Sequence, residues 1–302
     1  CFTAEEALDK LQYGMKILIR EGSAARNFEA LAGLLHDHSD RMMFCSDDKH
    51  PDSLAEGHIN QLCARAVAKG IDLFKVLQAA CINPVLHYRL DVGLLREHDP
   101  ADCIIVNDLE TFRVIQTYIN GQLVADNGVS LLRPVTEIPV NNFRCSEITA
   151  DMLAVKARDS DRIPVIEALD GQLITNTLYG TPKIIDGVYL SDTEQDFLKL
   201  AVVNRYADAP VAIAFIKNFK LNQGAIASSV AHDSHNIIAV GADDDSLAKA
   251  INLVIREKGG VSCVSHSSEM VLPLPVAGLM STGDGYAIAE AYTAIDRMAK
   301  DL

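Results

Sequence analysis

Three short clusters in this 302-residue chain hold side chains able to do chemistry. Ser46-Asp47-Asp48-Lys49-His50 sets two adjacent carboxylates and an imidazole at the end of an apolar run, Arg41-Met42-Met43-Phe44-Cys45. Such a set can ligate a divalent metal or take a proton from metal-bound water. Adjacent residues at a strand end can point differently, so one carboxylate can face a metal while its neighbour meets substrate. The plainer reading is that Asp47 or Asp48 caps the next helix. Arg20-Glu21-Gly22-Ser23 is a charged pair beside a permissive glycine, fit to bind an anionic or polar heterocycle or to stand as a structural ion pair. His232-Asp233-Ser234-His235-Asn236 offers good metal ligands between two apolar runs, and equally a hydrogen-bonded corner. Glu56-Gly57-His58 reads as the start of a helix, and His36 and His38 as solvated residues. His87, His98 and His266 have no convergent neighbours in sequence, and Cys45 reads as a buried strand thiol.

The elements that must position these clusters follow from pattern. Thr3 with Glu6 three residues on signals a capped helix, continued by Ala7, Leu8, Leu11 and Met15. Residues 16–20 and 41–45 read as short buried strands, each followed by a polar loop and then helix (27–35, 56–69, 72–81). Strand, polar loop, helix is the βα unit of a parallel sheet or barrel, in which the loops after the strands carry the chemistry. Residues 103–106, 113–119 and 122–125 read as strands, with Asn120-Gly121 as a hairpin turn. Residues 134–142 read as an extended linker. A new mixed α/β region begins near Thr149, with strands at 225–230, 237–240 and 261–264 and a helix over 246–257.

Composition narrows the class. Nearly half the residues (49%) are apolar, enough for one large core or two ordinary ones and too many for a disordered chain. Twenty-seven Lys and Arg against 41 Asp and Glu leave −14, which argues against nucleic acid or an anionic membrane as partner. No run approaches the ~20 apolar residues of a membrane span. Seven cysteines without CxxC spacing read as reduced thiols of a cytoplasmic protein. The chain opens on Cys1-Phe2-Thr3, with no basic start and apolar middle of a signal peptide, which reads as an interior start.

Longer runs carry more than spacing. Thr3-Ala4-Glu5-Glu6-Ala7-Leu8, Ile19-Arg20-Glu21-Gly22-Ser23-Ala24-Ala25-Arg26-Asn27, Ser46-Asp47-Asp48-Lys49-His50-Pro51 and Glu56-Gly57-His58 resemble, in that order, the second half of the barrel of the adenine deaminase family, in the amidohydrolase superfamily. The tract from Gly93 to Gly121 continues the likeness. Gly224-Ala225-Ile226-Ala227-Ser228-Ser229-Val230-Ala231-His232-Asp233-Ser234-His235-Asn236 and Leu272-Pro273-Leu274-Pro275-Val276-Ala277-Gly278-Leu279-Met280-Ser281 resemble that family's C-terminal domain.

The resemblance implies an α/β chain: the last part of a metal-dependent (β/α)8 hydrolase barrel over 1–90, a small β-sandwich segment over 91–135, a linker over 136–148 and a C-terminal mixed α/β domain over 149–302. It implies hydrolytic deamination of adenine to hypoxanthine and ammonia, within purine salvage, by water activated on a divalent metal pair, manganese or iron. Asp47 is then the Asp at the end of the last barrel strand, a metal ligand and the proton shuttle. Asp48, His50, Arg20 and Glu21 become candidates for substrate contact, and His232, Asp233 and His235 a second candidate site near the barrel mouth. A homo-oligomer is implied as well. The family's His-x-His on the first strand has no counterpart here, because His36-Asp37-His38 falls before the last strand. The chain is therefore expected to begin after the sixth barrel strand and to lack most metal ligands. A related amidohydrolase acting on another cyclic amidine or amide, or a non-catalytic fragment, are the alternatives.

Overall fold

A computed structural model describes residues 1–133, 138–157 and 162–302. These residues form a mixed α/β chain with four sheets among them, in two compact units, Cys1–Val135 and Thr136–Leu302.

The first unit opens with α1 (Ala4–Gln12), started by Thr3, whose hydroxyl accepts from Glu6 N at 3.2 Å. Glu6 reaches back to Phe2 N (2.8 Å) rather than to the cap's own N–H, so the box closes one residue early. Strands β1 (Ile17–Arg20) and β2 (Met42–Cys45) pair in parallel from Ile17↔Met42 to Arg20↔Cys45. Ile17, Ile19, Met42 and Phe44 are buried in one core with Phe28, Leu31, Leu35, Leu62 and Ala66.

The helix expected over 27–35 is instead broken into α2 (Phe28–Leu31), a 3₁₀ turn holding Gly33, and α3 (Leu35–His38). After β2 come α4 (Pro51–Glu56) and α5 (Ile59–Ala68). They are separate helices because Gly57, at φ 157°, leaves helical backbone between them. The helix expected over 72–81 begins at its cap, Asp72, which accepts from Phe74 N and Lys75 N. It runs as α6 (Leu73–Leu77), a π turn and α7 (Asn83–Tyr88). The four-stranded antiparallel sheet β3 (Cys103–Val106), β4 (Val114–Ile119), β5 (Gln122–Asp126) and β6 (Val129–Ser130) follows. Its β4–β5 turn has both Asn120 (φ 50°) and Gly121 (φ 75°) left-handed, as the hairpin signal requires.

Of the expected linker, residues 134–137 lie outside the described residues. The later part is bound into the second unit: Asn141 Nδ2 donates to Lys258 O (2.6 Å) and Pro275 O (3.0 Å), and Ile148 is buried. In chain order this unit has β7 (Val155–Lys156), β8 (Ile163–Ala168), β9 (Thr175–Gly180), β10 (Lys183–Ile185), β11 (Val188–Leu190), β12 (Leu198–Val203), β13 (Ala212–Lys217), β14 (Ala225–Ser228) and β15 (Ile237–Gly241). Then come α8 (Asp244–Arg256), β16 (Gly260–Val264), β17 (Glu269–Pro273) and α9 (Gly285–Lys300). Eight strands make one sheet in the order β17-β16-β14-β15-β12-β13-β8-β9, antiparallel except where β13 meets β8.

Strand alternation puts a helix on each face. Ala201, Val203, Ala225, Ala227, Ile237 and Ala239 meet Leu247, Ile251 and Val254 of α8. Leu200, Val240, Cys263 and Leu272 face the other way, with Ile295 of α9. Lys199, fully buried, donates to Asp244 Oδ2 at 2.7 Å and Leu153 O at 3.1 Å. Among the described residues no helix is long and apolar enough to cross a membrane.

Candidate active site

Because β1 and β2 run parallel in register, their C-terminal ends lie side by side and the loops at 21–27 and 46–50 leave from one edge. Each loop is tied down locally. Asn27 Oδ1 accepts from Arg20 N (2.8 Å), Gly22 N donates to Ala25 O (3.1 Å), and Arg26 Nε donates to Gly22 O (3.1 Å). The two loops are also laced together. Glu21 N donates to Cys45 O (3.2 Å), Ser23 N to Asp48 O (3.0 Å) and His50 N to Ser23 Oγ (2.8 Å).

Asp47 sits at this edge in left-handed backbone, φ 54°. That is a conformation Asp tolerates and β-branched residues avoid, and it persists where surrounding contacts impose it. Its Oδ2 lies 3.6 Å from Arg20 Nη1, both side chains about one-third exposed or less. Gly22 lies against Asp47, and a β-carbon at Gly22 would press on the Asp47 side chain. Glu21, next in line to Arg20, points the opposite way along the strand and pairs with Arg65 on α5. Arg65 also holds Glu29 at 2.8 Å and stacks its guanidinium 4.0 Å above the Phe28 ring. Burial works against its charge, yet the Glu29 and Glu21 carboxylates more than offset this and raise its pKa. The structure thus brings Arg20 and Asp47 together, turns Glu21 toward Arg65, and joins Asp48 and His50 to the Ser23 loop through their backbones.

Behind Glu21 a cavity of about 30 Å³ is lined by Ser46, Lys49, His58, Gln61 and Arg65 among others. A water fits there and a purine does not. Lys49 Nζ donates to Gly57 O (2.8 Å), and partial burial, then the Lys49 ammonium, lower the pKa of His58 below 6.5. Sequence reasoning missed Arg65, which lies 44 residues from Glu21 on an ordinary amphipathic helix and has no local signal. It also read His58 as helix-start chemistry. Burial pushes the thiol of Cys63 up to about 12 and that of Cys263 to about 11, so neither is a thiolate nucleophile at neutral pH.

In the second unit the turn at 231–236 joins β14 to β15. His235 N donates to Ala231 O at 2.5 Å, and the His232 and His235 rings meet edge to face with centroids 5.4 Å apart. Asp233 is exposed. Among the described residues no three His, Cys, Asp or Glu side chains converge as a metal site, in either unit. A hollow of about 390 Å³ on this unit's sheet, lined by Ile166, Leu200, Ile216, Ile226, Val240 and Val261 among others, holds no titratable group.

Comparison with known sequences places the chain among its relatives. The profile of the amidohydrolase family matches residues 5–124, and that of the adenine deaminase C-terminal domain matches residues 172–302. The chain is 51% identical over 294 residues to the adenine deaminase of Salinibacter ruber, covering 97% of this chain and 54% of that protein. It is 49% identical to the adenine deaminase of Methanosarcina acetivorans and 46% identical to that of Borreliella burgdorferi, covering 100% of this chain and 56% of each relative. The chain belongs to the adenine deaminase family. It spans about half the length of the curated relatives it matches. Adenine deaminases, as amidohydrolases, are hydrolases of C–N bonds, and the amidohydrolase family generally uses a divalent metal. The amidohydrolase match includes the β1 and β2 ends, and the deaminase C-terminal match includes the 231–236 turn.

Proposed function

We propose that this chain supplies the β1–β2 edge of an adenine deaminase active site, at which adenine and water become hypoxanthine and ammonia. The observation that carries this reading is Asp47: a strand-end carboxylate in left-handed backbone, 3.6 Å from Arg20 and seated on Gly22. The relatives named adenine deaminase lend it their reaction.

Deamination forms a C–O bond and breaks a C–N bond at one purine carbon. Water must lose a proton, and the departing amino group must gain one. A single carboxylate that accepts the first and returns it to the second performs both transfers, and Asp47 has the exposure and position for it. Arg20 holds that carboxylate in orientation. Asp48 and His50 contact the purine or support Asp47, and Glu21, fixed by Arg65, forms the neighbouring wall.

In this reading a divalent pair, manganese or iron, supplies a water acidic enough to attack the ring. Asp47 fits as one oxygen ligand of that pair, and the described residues do not complete the set. β1 and β2 are read as the last strands of a (β/α)8 barrel, β3–β6 as part of a small β-sandwich, and the protein as a cytoplasmic homo-oligomer of purine salvage. The parallel β1–β2 pair, with its loops at the C-terminal edge, supports the barrel placement.

The test is ammonia release from adenine with excess manganese, alongside an intact-mass spectrum of the same sample, for the 302-residue chain and for a protein of the relatives' full length containing it. The full-length protein is expected to turn over and its Asp47→Asn variant to lose turnover while retaining its fold. An Asp47→Asn protein that keeps metal and full turnover sinks the assignment.

A further inference from the structure

The face of the β1–β2 pair turned away from the core carries two neighbouring side chains at its C-terminal end. Ile17, Ile19, Met42 and Phe44 pack into the core, so by strand alternation Arg20 and Cys45 project from the opposite face. The register sets these two residues directly side by side, Arg20↔Cys45. Cys45 is half-buried, not enclosed as an ordinary strand thiol is.

Asp47, two residues on, is tied to both of them. Its Oδ2 lies 3.6 Å from Arg20 Nη1, and its N–H donates to Cys45 Sγ at 3.3 Å. The first contact addresses the carboxylate, the second the main chain from which the carboxylate hangs. A side-chain acceptor that takes the N–H two residues on is the Asx-turn arrangement, which Asn, Asp, Ser and Thr make with oxygen. Here sulfur, a weak acceptor on a longer bond, takes the oxygen's place. The bond closes a tight turn as the chain leaves β2, where Asp47 adopts φ 54°. An L-residue keeps that conformation only where its surroundings over-determine it. Gly22 packs against the Asp47 side chain from the loop after β1, and Cys45 grips the Asp47 backbone from the end of β2. The Cys45 carbonyl also accepts from Glu21 N at 3.2 Å. One residue thus anchors both loops, the first through its carbonyl and the second through its thiol.

We propose that Cys45 is a positioning residue for the deamination, fixing the direction of the Asp47 carboxylate through its sulfur acceptor and not by filling space. This rests on the reading of Asp47 as the carboxylate that carries the proton. The role needs an acceptor atom at this place, not a nucleophile.

The experiment measures kcat and KM for adenine in a protein of the relatives' full length containing this chain, with Cys45→Ala, Cys45→Ser and Cys45→Val. Ser keeps an acceptor; Val keeps bulk and lacks one. Cys45→Ala and Cys45→Val should lower kcat about five- to tenfold, the loss of one hydrogen bond, with KM little changed, and Cys45→Ser should recover most of it. In an Asp47→Asn background Cys45→Ala should cost nothing more. Hydrogen exchange at the Asp47 amide, followed by NMR in the 302-residue chain, reads the bond without turnover: it should be faster in Cys45→Ala and Cys45→Val than in the parent or Cys45→Ser. A Cys45→Val protein as active as the parent, a further loss in the Asp47→Asn background, or unchanged Asp47 exchange in Cys45→Ala overturns the proposal. Should Cys45→Ala fail to fold, Cys45→Ser against Cys45→Val decides. Full turnover by Asp47→Asn itself marks the failure of the Asp47 reading, and the positioning role falls with it even where exchange shows the bond.

Discussion

A β-carbon placed on Gly22 would lie 3.0 Å from the Asp47 β-carbon and 3.2 Å from its Oδ2. The glycine after β1 therefore sets how close the carboxylate after β2 stands to Arg20. Gly22→Ala should move the Asp47 side chain by a few tenths of an ångström or more. A displacement approaching 1 Å costs on the order of a hundredfold in kcat. Steady-state deamination by the full-length enzyme, with Tm measured beside it, checks this. Normal kcat in a folded Gly22→Ala protein would show that Asp47 is not held by this contact.

Removing the carboxylate proposed to carry the proton should cost more. Asp47→Asn keeps the shape and discards the exchangeable charge, and the expected loss in kcat is about 10²–10⁴-fold. Arg20→Met should act on the same carboxylate more gently, because a pair at 3.6 Å that is about one-third exposed contributes at most about 1 kcal/mol. Comparing kcat for the two variants and their combination shows whether Arg20 acts through Asp47: the double variant should then be no slower than Asp47→Asn alone.

His58 gives a pH signature. Partial burial, then Lys49, hold its folded pKa below the ordinary 6.5, so the folded protein favours the neutral ring. Above 6.5 both folded and unfolded rings are neutral, and the stability is fully present. As pH falls, the unfolded chain takes the proton first, and stability declines through the lowered folded value. Urea midpoints at about pH 7.5 and about pH 5 should differ less in His58→Gln than in the parent. An identical pH dependence in both proteins removes His58 as its source.

In the second unit, Lys199→Met should be strongly destabilising. It leaves the partly buried Asp244 carboxylate without its cation and Leu153 O without its donor, a loss of about 3 kcal/mol. Urea unfolding of Lys199→Met, Asp244→Asn and the double variant measures the coupling. A single-variant loss within about 0.5 kcal/mol would rank the pair with surface ion pairs.

The 302-residue chain alone should bind less than one equivalent of manganese and release no ammonia from adenine, since among the described residues no three donors converge. Equilibrium dialysis with metal analysis reads the first, and a coupled ammonia assay the second. Stoichiometric binding of two metals would place the ligands within this chain after all.

What was legible in the sequence was local. β1 and β2 stood out because short apolar runs were closed by Glu21-Gly22-Ser23 and by Ser46-Asp47-Asp48. The β4–β5 hairpin stood out because Asn120-Gly121 is suited to two left-handed residues in succession. The pairing of Arg20 with Asp47 could be foreseen only as two loops at neighbouring strand ends, since register is a property of the sheet. β9 escaped notice: Thr175–Gly180 is mostly exposed and carries little apolar alternation. Arg65 was invisible because its partners come from the loop after β1 and from α2, and nothing in 59–68 distinguishes a helix arginine bound for a site from one bound for solvent.

The four-rung β1–β2 ladder also bears on how such a protein can be rewritten. The strands give the core Ile17, Ile19, Met42 and Phe44, whereas residues 21–27 and 46–50 are hydrogen-bonded largely within and between themselves, with outside ties from Glu21 to Arg65, from Lys49 to Gly57 and from Asn27 to Cys1. The loops therefore behave as one exchangeable cassette. Transplanted together from a relative, they should carry their specificity with them; exchanged singly, they would lose the Ser23–Asp48 and Ser23–His50 stitches and arrive out of phase.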